Sequence, residues 1–238
     1  MNAAQFVGAI RVPKATIAGL LAEKENAADW RPGIMLNFVF QAAVTLLFFT
    51  LAWLAVALLL GLGWGTEGHR GFFGTAASGF LLEHLSPLGV VLGFAKSLAL
   101  VLVSGIGFAM ILDLLFQHWY RQRGGESKKI FNVVTAVTLP WAVFMLIPVV
   151  GPLVAIVGSC LNAYRVVAAV YGDEDPMRNV LAMLAAGFGA GVAAFVVVMV
   201  VGAAIQPIQS ADPFRHWTTG ISDRAIFGGS VSAGEVMP

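Results

Sequence analysis

Charge is what this sequence has least of. Only 11% of its 238 residues are Asp, Glu, Lys or Arg, where a water-soluble domain carries about 25%. With 58% hydrophobic residues and a mean hydropathy of +0.84, there is too little polar surface to face water on all sides. That excludes an ordinary soluble domain and makes lipid part of the solvent. The net charge of +1 gives no cationic excess, and no nucleic-acid partner is expected. One cysteine, Cys160, makes neither an intramolecular disulfide nor a multi-cysteine metal site, and it reads as a small buried filler. No H-E-x-x-H, C-x-x-C or G-x-S-x-G occurs, so neither zinc-protease nor nucleophile-elbow chemistry has a scaffold. Ser210, Asp212 and His216 are close in sequence but fall in a polar, aperiodic stretch. Glu67, His69, Glu83 and His84 match no zinc spacing. The glycines from Gly65 to Gly79 are followed by no phosphate-loop lysine. No catalytic, cofactor-binding or metal-ligating residue is expected, and no enzyme.

What is present is long apolar runs. From Ile130 to Tyr164 there are 35 residues without a charged side chain, broken by Pro148-Val149-Val150-Gly151-Pro152. A crossing helix needs about 20 residues, so this run reads as two arms meeting at a tight turn. The rest divides likewise. The expectation is an all-α, polytopic transmembrane bundle of about five spans over residues 34–205: 34–62, 88–116, 130–147, 153–171 and 180–205. Both a crossing hairpin and a re-entrant one return the chain to the same side. Residues 1–33 precede the bundle. Pro13 opens a helix on which Ile17, Leu20 and Leu21 share a face between Lys14 and Lys24. That face suits either a membrane surface or the end of the bundle, and the expectation is a short amphipathic interfacial helix in a cytoplasmic N-terminal segment. Residues 206–238 are expected to form a loose tail. No secretory leader is visible at the N-terminus.

Basic residues mark the cytoplasmic side. Arg11, Lys14, Lys24 and Arg31 precede the first span, Arg121, Arg123, Lys128 and Lys129 follow the second, and Arg165 and Arg178 bracket an acidic turn. The other side holds Arg70, and the tail holds Arg215 and Arg224. The pattern puts the N-terminus in the cytoplasm and the C-terminus outside.

Three features resemble the Yip1 family of small membrane proteins, in its bacterial form. They are Val12-Pro13-Lys14 with Leu20-Leu21-Ala22-Glu23 and Trp30-Arg31-Pro32; the five-span layout; and Leu139-Pro140-Trp141, Ile147 to Pro152 and Tyr164 to Gly172 in the hairpin. The resemblance covers about Val12 to Ala204. Where the family carries a histidine after its fourth span, this chain has Asp173-Glu174-Asp175. It implies a non-enzymatic protein of the bacterial inner membrane that organises membrane, scaffolds or binds partners. The family's link to small GTPases has no motif here to carry it. The alternatives are a transporter or channel-type protein with Lys96 and Asp113 in its path, or an accessory subunit of a larger membrane complex. Expected partners are membrane lipids, with anionic headgroups at the cytoplasmic face, other membrane subunits, or a second copy.

Ionisable groups inside a membrane cost roughly 2.5–3.5 kcal/mol at mid-helix and call for partners. Asp113 and Arg165 lie at matching depths, and an ion pair between them would fix how the hairpin docks; separate snorkelling is the alternative. Lys96 can snorkel, line a cavity or meet a lipid headgroup. Asn162 and Gln41 can bridge helices. Pro148, Gly151 and Pro152 form the expected hairpin turn. Ala182, Ala186, Ala190 and Ala194, with Gly187 and Gly191, form an expected helix-packing face of small residues.

Overall fold

A computed structural model describes residues 3–61, 87–121, 124–147, 149–172 and 174–210. Among them every regular element is helical. In order they are α1 (Ala3–Arg11), α2 (Pro13–Ala22), α3 (Lys24–Ala28), α4 (Arg31–Gly61), α5 (Pro87–His118), α6 (Ser127–Ala142) with a 3-10 turn at Val143–Leu146, α7 (Val150–Tyr171) and α8 (Pro176–Ser210). Among the described residues four helices are long and apolar enough to cross a membrane: Arg31–Ala55, Leu88–His118, Val150–Tyr171 and Pro176–Ala204. Among the described residues the protein is all-helical, with four candidate spans.

Several boundaries differ from the sequence expectation. The segment expected at 130–147 is a 16-residue helix of about 24 Å at the helical rise, ending in the 3-10 turn. Pro140 lies two residues before α6 ends, where its missing N–H has already removed one ladder bond. Helix α8 runs on to Ser210, so residues 206–210 are helical, not tail. Residues 211–238 lie outside the described residues, with Asp212 and His216, as does 62–86 with Glu67, His69, Glu83 and His84. Of the expected turn, Pro148 also lies outside them. Gly151 and Pro152 belong to the first turn of α7, and Val149 just before it takes φ +68°. Gly151 admits no side chain, because a Cβ there would run into the carbonyl oxygen of Phe144.

The described residues form two units by contact. One combines parts of 43–95 and 201–238. It contains apolar helix with Phe49 edge-on to Trp53 at 6.3 Å. The other combines parts of 1–42 and 96–200 and holds all that follows. Its inner element is α6, on which Ile130, Phe131, Asn132, Val133, Thr135, Ala136, Val137 and Pro140 are buried. Helix α7 lies along α6 closely enough that a Cβ on Gly158 would collide with the Trp141 ring. Two apolar clusters flank α6. One joins Ala109, Leu112 and Phe116 of α5 to Ile130, Phe131, Val167, Tyr171, Ala182 and Ala186. The other joins Ala9, Ile17 and Leu20 of the N-terminal helices to Val133, Ala136, Val137 and Val166.

That second cluster departs from the expected interfacial helix, because Ile17 and Leu20 are buried in it. Their stripe is spent inside the protein, against the hairpin. The N-terminal segment is a strap of three short helices, and each of them contacts α6.

Candidate functional site

The strap is tied to the hairpin by asparagines. Asn132, 2% exposed, donates from Nδ2 to the carbonyls of Asn26 at 3.0 Å and Asp29 at 2.6 Å, and its Oδ1 accepts from the Gly33 amide at 2.8 Å. All of its hydrogen-bonding groups are engaged. It joins the middle of α3, the strap's last link and the start of α4 to one point on α6. Asn26 in turn donates to the Leu20 carbonyl at 2.8 Å, and Asn37 to the Gly33 carbonyl at 3.0 Å. Beside them the Lys128 ammonium donates to the Ala28 carbonyl at 3.1 Å, and Trp30 packs on Phe131 at 5.5 Å.

Asn162 repeats the device on α7. It is fully buried, donates to the carbonyls of Ala9 at 3.0 Å and Val137 at 3.1 Å, and accepts from the Arg165 guanidinium at 2.9 Å. One amide thus holds α1, α6 and α7 together. A buried carbonyl left unpaired costs about 1–3 kcal/mol, which is why a polar side chain stands where apolar packing alone would suffice.

The second polar knot is at the base of the hairpin, and it corrects the expected Asp113–Arg165 ion pair. The buried Asp113 carboxylate accepts from the Tyr171 hydroxyl at 2.7 Å and from the amides of Gly125 at 2.9 Å and Glu126 at 3.3 Å. Those amides precede the first turn of α6, so a negative charge sits at the positive end of a helix. Arg165 is spent on Asn162. The ion pairs among the described residues are Arg31–Asp29 and Lys129–Glu126. Phe116 stacks on Tyr171 at 3.9 Å, and the Arg178 guanidinium lies 5.6 Å from the centroids of both Phe116 and Tyr120. The Asp175 carboxylate accepts from the Arg178 amide at 3.1 Å, a normal cap for the start of α8.

The expected small-residue face splits in two. Ala182, Ala186, Ala190 and Ala194 are buried, with Ala190 3.7 Å from a Cβ built on Gly107. Gly187 and Gly191 are exposed, and a Cβ built on either meets nothing within 4 Å. Both line a cavity of about 320 Å³ with Ser104, Phe131 and Thr135. Gly187 also floors a larger one, about 790 Å³, between Phe108, Leu139, Tyr164 and Leu184. Both linings are overwhelmingly apolar. Lys96 is exposed on α5, Gln41 is half-buried on α4, and Cys160 is exposed on α7, where a buried filler was expected. Among the described residues no three His, Cys, Asp or Glu side chains gather as a metal site would need.

Sequence reasoning missed Asn26, Asn37, Asn132 and the partners of Asp113. A signal existed for Asn132, an amide inside a charge-free run that must find partners where water is scarce. No protein-family model matches this sequence, no curated protein matches it, and no solved structure matches it.

Proposed function

We propose that this chain is a non-enzymatic, Yip1-like integral membrane protein that organises membrane or scaffolds partners. Its seat is the bacterial inner membrane, with the N-terminus cytoplasmic and the C-terminus outside. The observation that carries the reading is that Asn132 and Asn162 of the hairpin and Asp113 at its base are occupied from within the chain, Trp141 Nε1 being the buried hairpin donor without a partner among the described residues. Asn132, Asn162 and Asp113 hold backbone and a tyrosine, and the cavities beside them are apolar. A solute path needs polar groups turned towards it; these are turned towards the strap and the hairpin base. Arg11, Lys14, Lys24 and Arg31 in or beside the strap, and Lys128 and Lys129 at the start of α6, put basic side chains on the strap's side, where anionic headgroups contribute about 1 kcal/mol per nearby Lys or Arg. The expected five crossings use α6 and its 3-10 turn as the third; the hairpin returns the chain to the same face whether or not it crosses.

The test is purification from native membranes with identification of co-purifying chains, then binding to liposomes with and without anionic lipid. A lone chain or homodimer that prefers anionic vesicles supports the reading. A stable multi-subunit complex replaces it with the accessory role. Solute flux in proteoliposomes, abolished by Lys96→Ala, overturns it.

A further inference from the structure

The bonds that tie the strap to the hairpin also set a depth. Ala9 is level with Asn162 and Asp29 with Asn132, because each pair is hydrogen-bonded. The strap carries exposed charge at those same levels. Arg11 follows Ala9 by two residues and is exposed, and Arg31, paired with Asp29, has an 86% exposed side chain. Arg165 lies one helical turn below Asn162. Charges of this kind belong at the headgroup boundary, not in hydrocarbon.

Beyond that boundary little hairpin remains. From Asn162 back to Val150, the start of α7, is about 18 Å at the helical rise. From Asn132 to Ala142, with the 3-10 turn added, is about 23 Å. The hydrocarbon core is about 30 Å thick. The hairpin is too short to reach the far side.

The tip has the chemistry of a buried end. Met145, Ile147, Val149, Val150 and Leu153 are exposed, Val149 at 85%. From Phe144 to Leu161 there is no Trp, Tyr, Lys, Arg, Asp or Glu; the nearest residue of an interface-anchoring type is Trp141, whose ring packs on Phe144 and Gly158 and whose Nε1 is buried, so no anchor marks a far interface at the tip itself. The near side has anchors in Trp30, Tyr164 and Arg165. Backbone in hydrocarbon must also be satisfied internally. The Ile147 amide donates to the Phe144 carbonyl at 2.9 Å, the Gly151 amide donates to the Ile147 carbonyl at 3.0 Å, and Pro148 and Pro152 have no N–H to satisfy.

We infer that the α6–α7 hairpin enters the bilayer from the strap's side and ends inside the hydrocarbon, so its exposed tip contacts lipid acyl chains and not the far aqueous phase. This rests on the membrane reading above and replaces five crossings with three, α4, α5 and α8. It also supplies a mechanism for that reading. A pair of helices that ends inside the bilayer takes up more area in the leaflet it enters than in the other, which acts as a wedge.

The test uses the full chain in sealed native vesicles with Cys160→Ala as background. Val149→Cys probes the tip and Lys14→Cys the strap. The expected result is that a membrane-impermeant maleimide labels Lys14→Cys from one side and Val149→Cys from neither, until detergent denaturation exposes it. A nitroxide at Val149 is then relaxed by oxygen and not by a water-soluble nickel chelate. Labelling of Val149→Cys from the side opposite Lys14→Cys overturns the inference and restores a full crossing. If alkaline carbonate releases the protein and both cysteines label freely, the membrane reading itself fails.

Discussion

Helices α6 and α8 show two ways of being apolar. Helix α8 is the longer, 35 residues, and one stripe of it is buried: Asn179, Ala182, Ala186, Ala190 and Ala194. Its other faces expose Leu181, Leu184, Phe188, Phe195 and Met199. Helix α6 has 16 residues, half of them buried, and two of those are Asn132 and Thr135. A helix whose outer solvent is lipid has no use for polar side chains on its lipid face. A helix enclosed by protein can carry them, provided the surrounding chain supplies partners. Helix α8 has the length and hydropathy of a span and α6, at 16 residues, is too short to count as one, although α6 touches the strap, α7 and both apolar clusters.

The comparison breaks first at Asn132. Replacing it with Leu keeps α6 apolar but strips partners from the Asn26 and Asp29 carbonyls and the Gly33 amide. The expected loss is about 2–4 kcal/mol, read as a lower denaturation midpoint in detergent micelles together with faster proteolysis of the strap. An unchanged midpoint would mean that water or lipid already serves these groups, and α6 would then be no more enclosed than α8.

Asn162→Ala comes next, at about 1–3 kcal/mol. It frees the Ala9 and Val137 carbonyls while leaving Arg165 able to reach the headgroup region. Its distinguishing readout is local: faster hydrogen exchange in α1, with α2 and α3 still protected by Asn132. Equal loss of protection along the whole strap would show that the two asparagines act as one unit.

Much of this was legible beforehand, for physical reasons that can be named. Helical apolar runs and the proline at 13 are local properties, and they give the helices and the candidate spans, though Pro176, read as part of an acidic turn, opens α8. The strap's docking was half legible. Ile17 and Leu20 share a face in any helix, but lipid and protein reward the same pattern, so the sequence leaves the partner of that face undecided. The partner of Asp113 was not legible. Matching depth made Arg165 plausible, yet the amides of Gly125 and Glu126 and the Tyr171 hydroxyl lie closer, and backbone donors leave no mark in a sequence. The alternation of alanines likewise announced a packing face without saying that its interleaved glycines turn elsewhere.

Asp113 allows a sharper test at the hairpin base. In a double-mutant cycle, Asp113→Asn and Tyr171→Phe should couple by about 0.5–3 kcal/mol, since the hydroxyl donates to a charge at 2.7 Å. Swapping Asp113 and Arg165 should be no better than either single change. Rescue by the swap would restore the ion pair that the hydrogen bonds replace.

The smallest effect, at Gly187, is read against Ala186 on the stripe of α8 itself. Ala186 is fully buried in the apolar cluster that draws on α5, α6 and α7, while a Cβ built on its neighbour Gly187 meets nothing within 4 Å. Enlarging Ala186 to Leu overpacks a filled site, at about 1–3 kcal/mol. Gly187→Ala meets no atom within 4 Å and removes backbone freedom from the unfolded chain, so it should be neutral or stabilise by up to about 1 kcal/mol. A thermal shift in micelles separates the two. If Gly187→Ala destabilises as Ala186→Leu does, the glycine is packed against something, which would be a second copy or a partner helix seated over the cavity. Only a close-approach motif would give that result; a cavity floor gives the first.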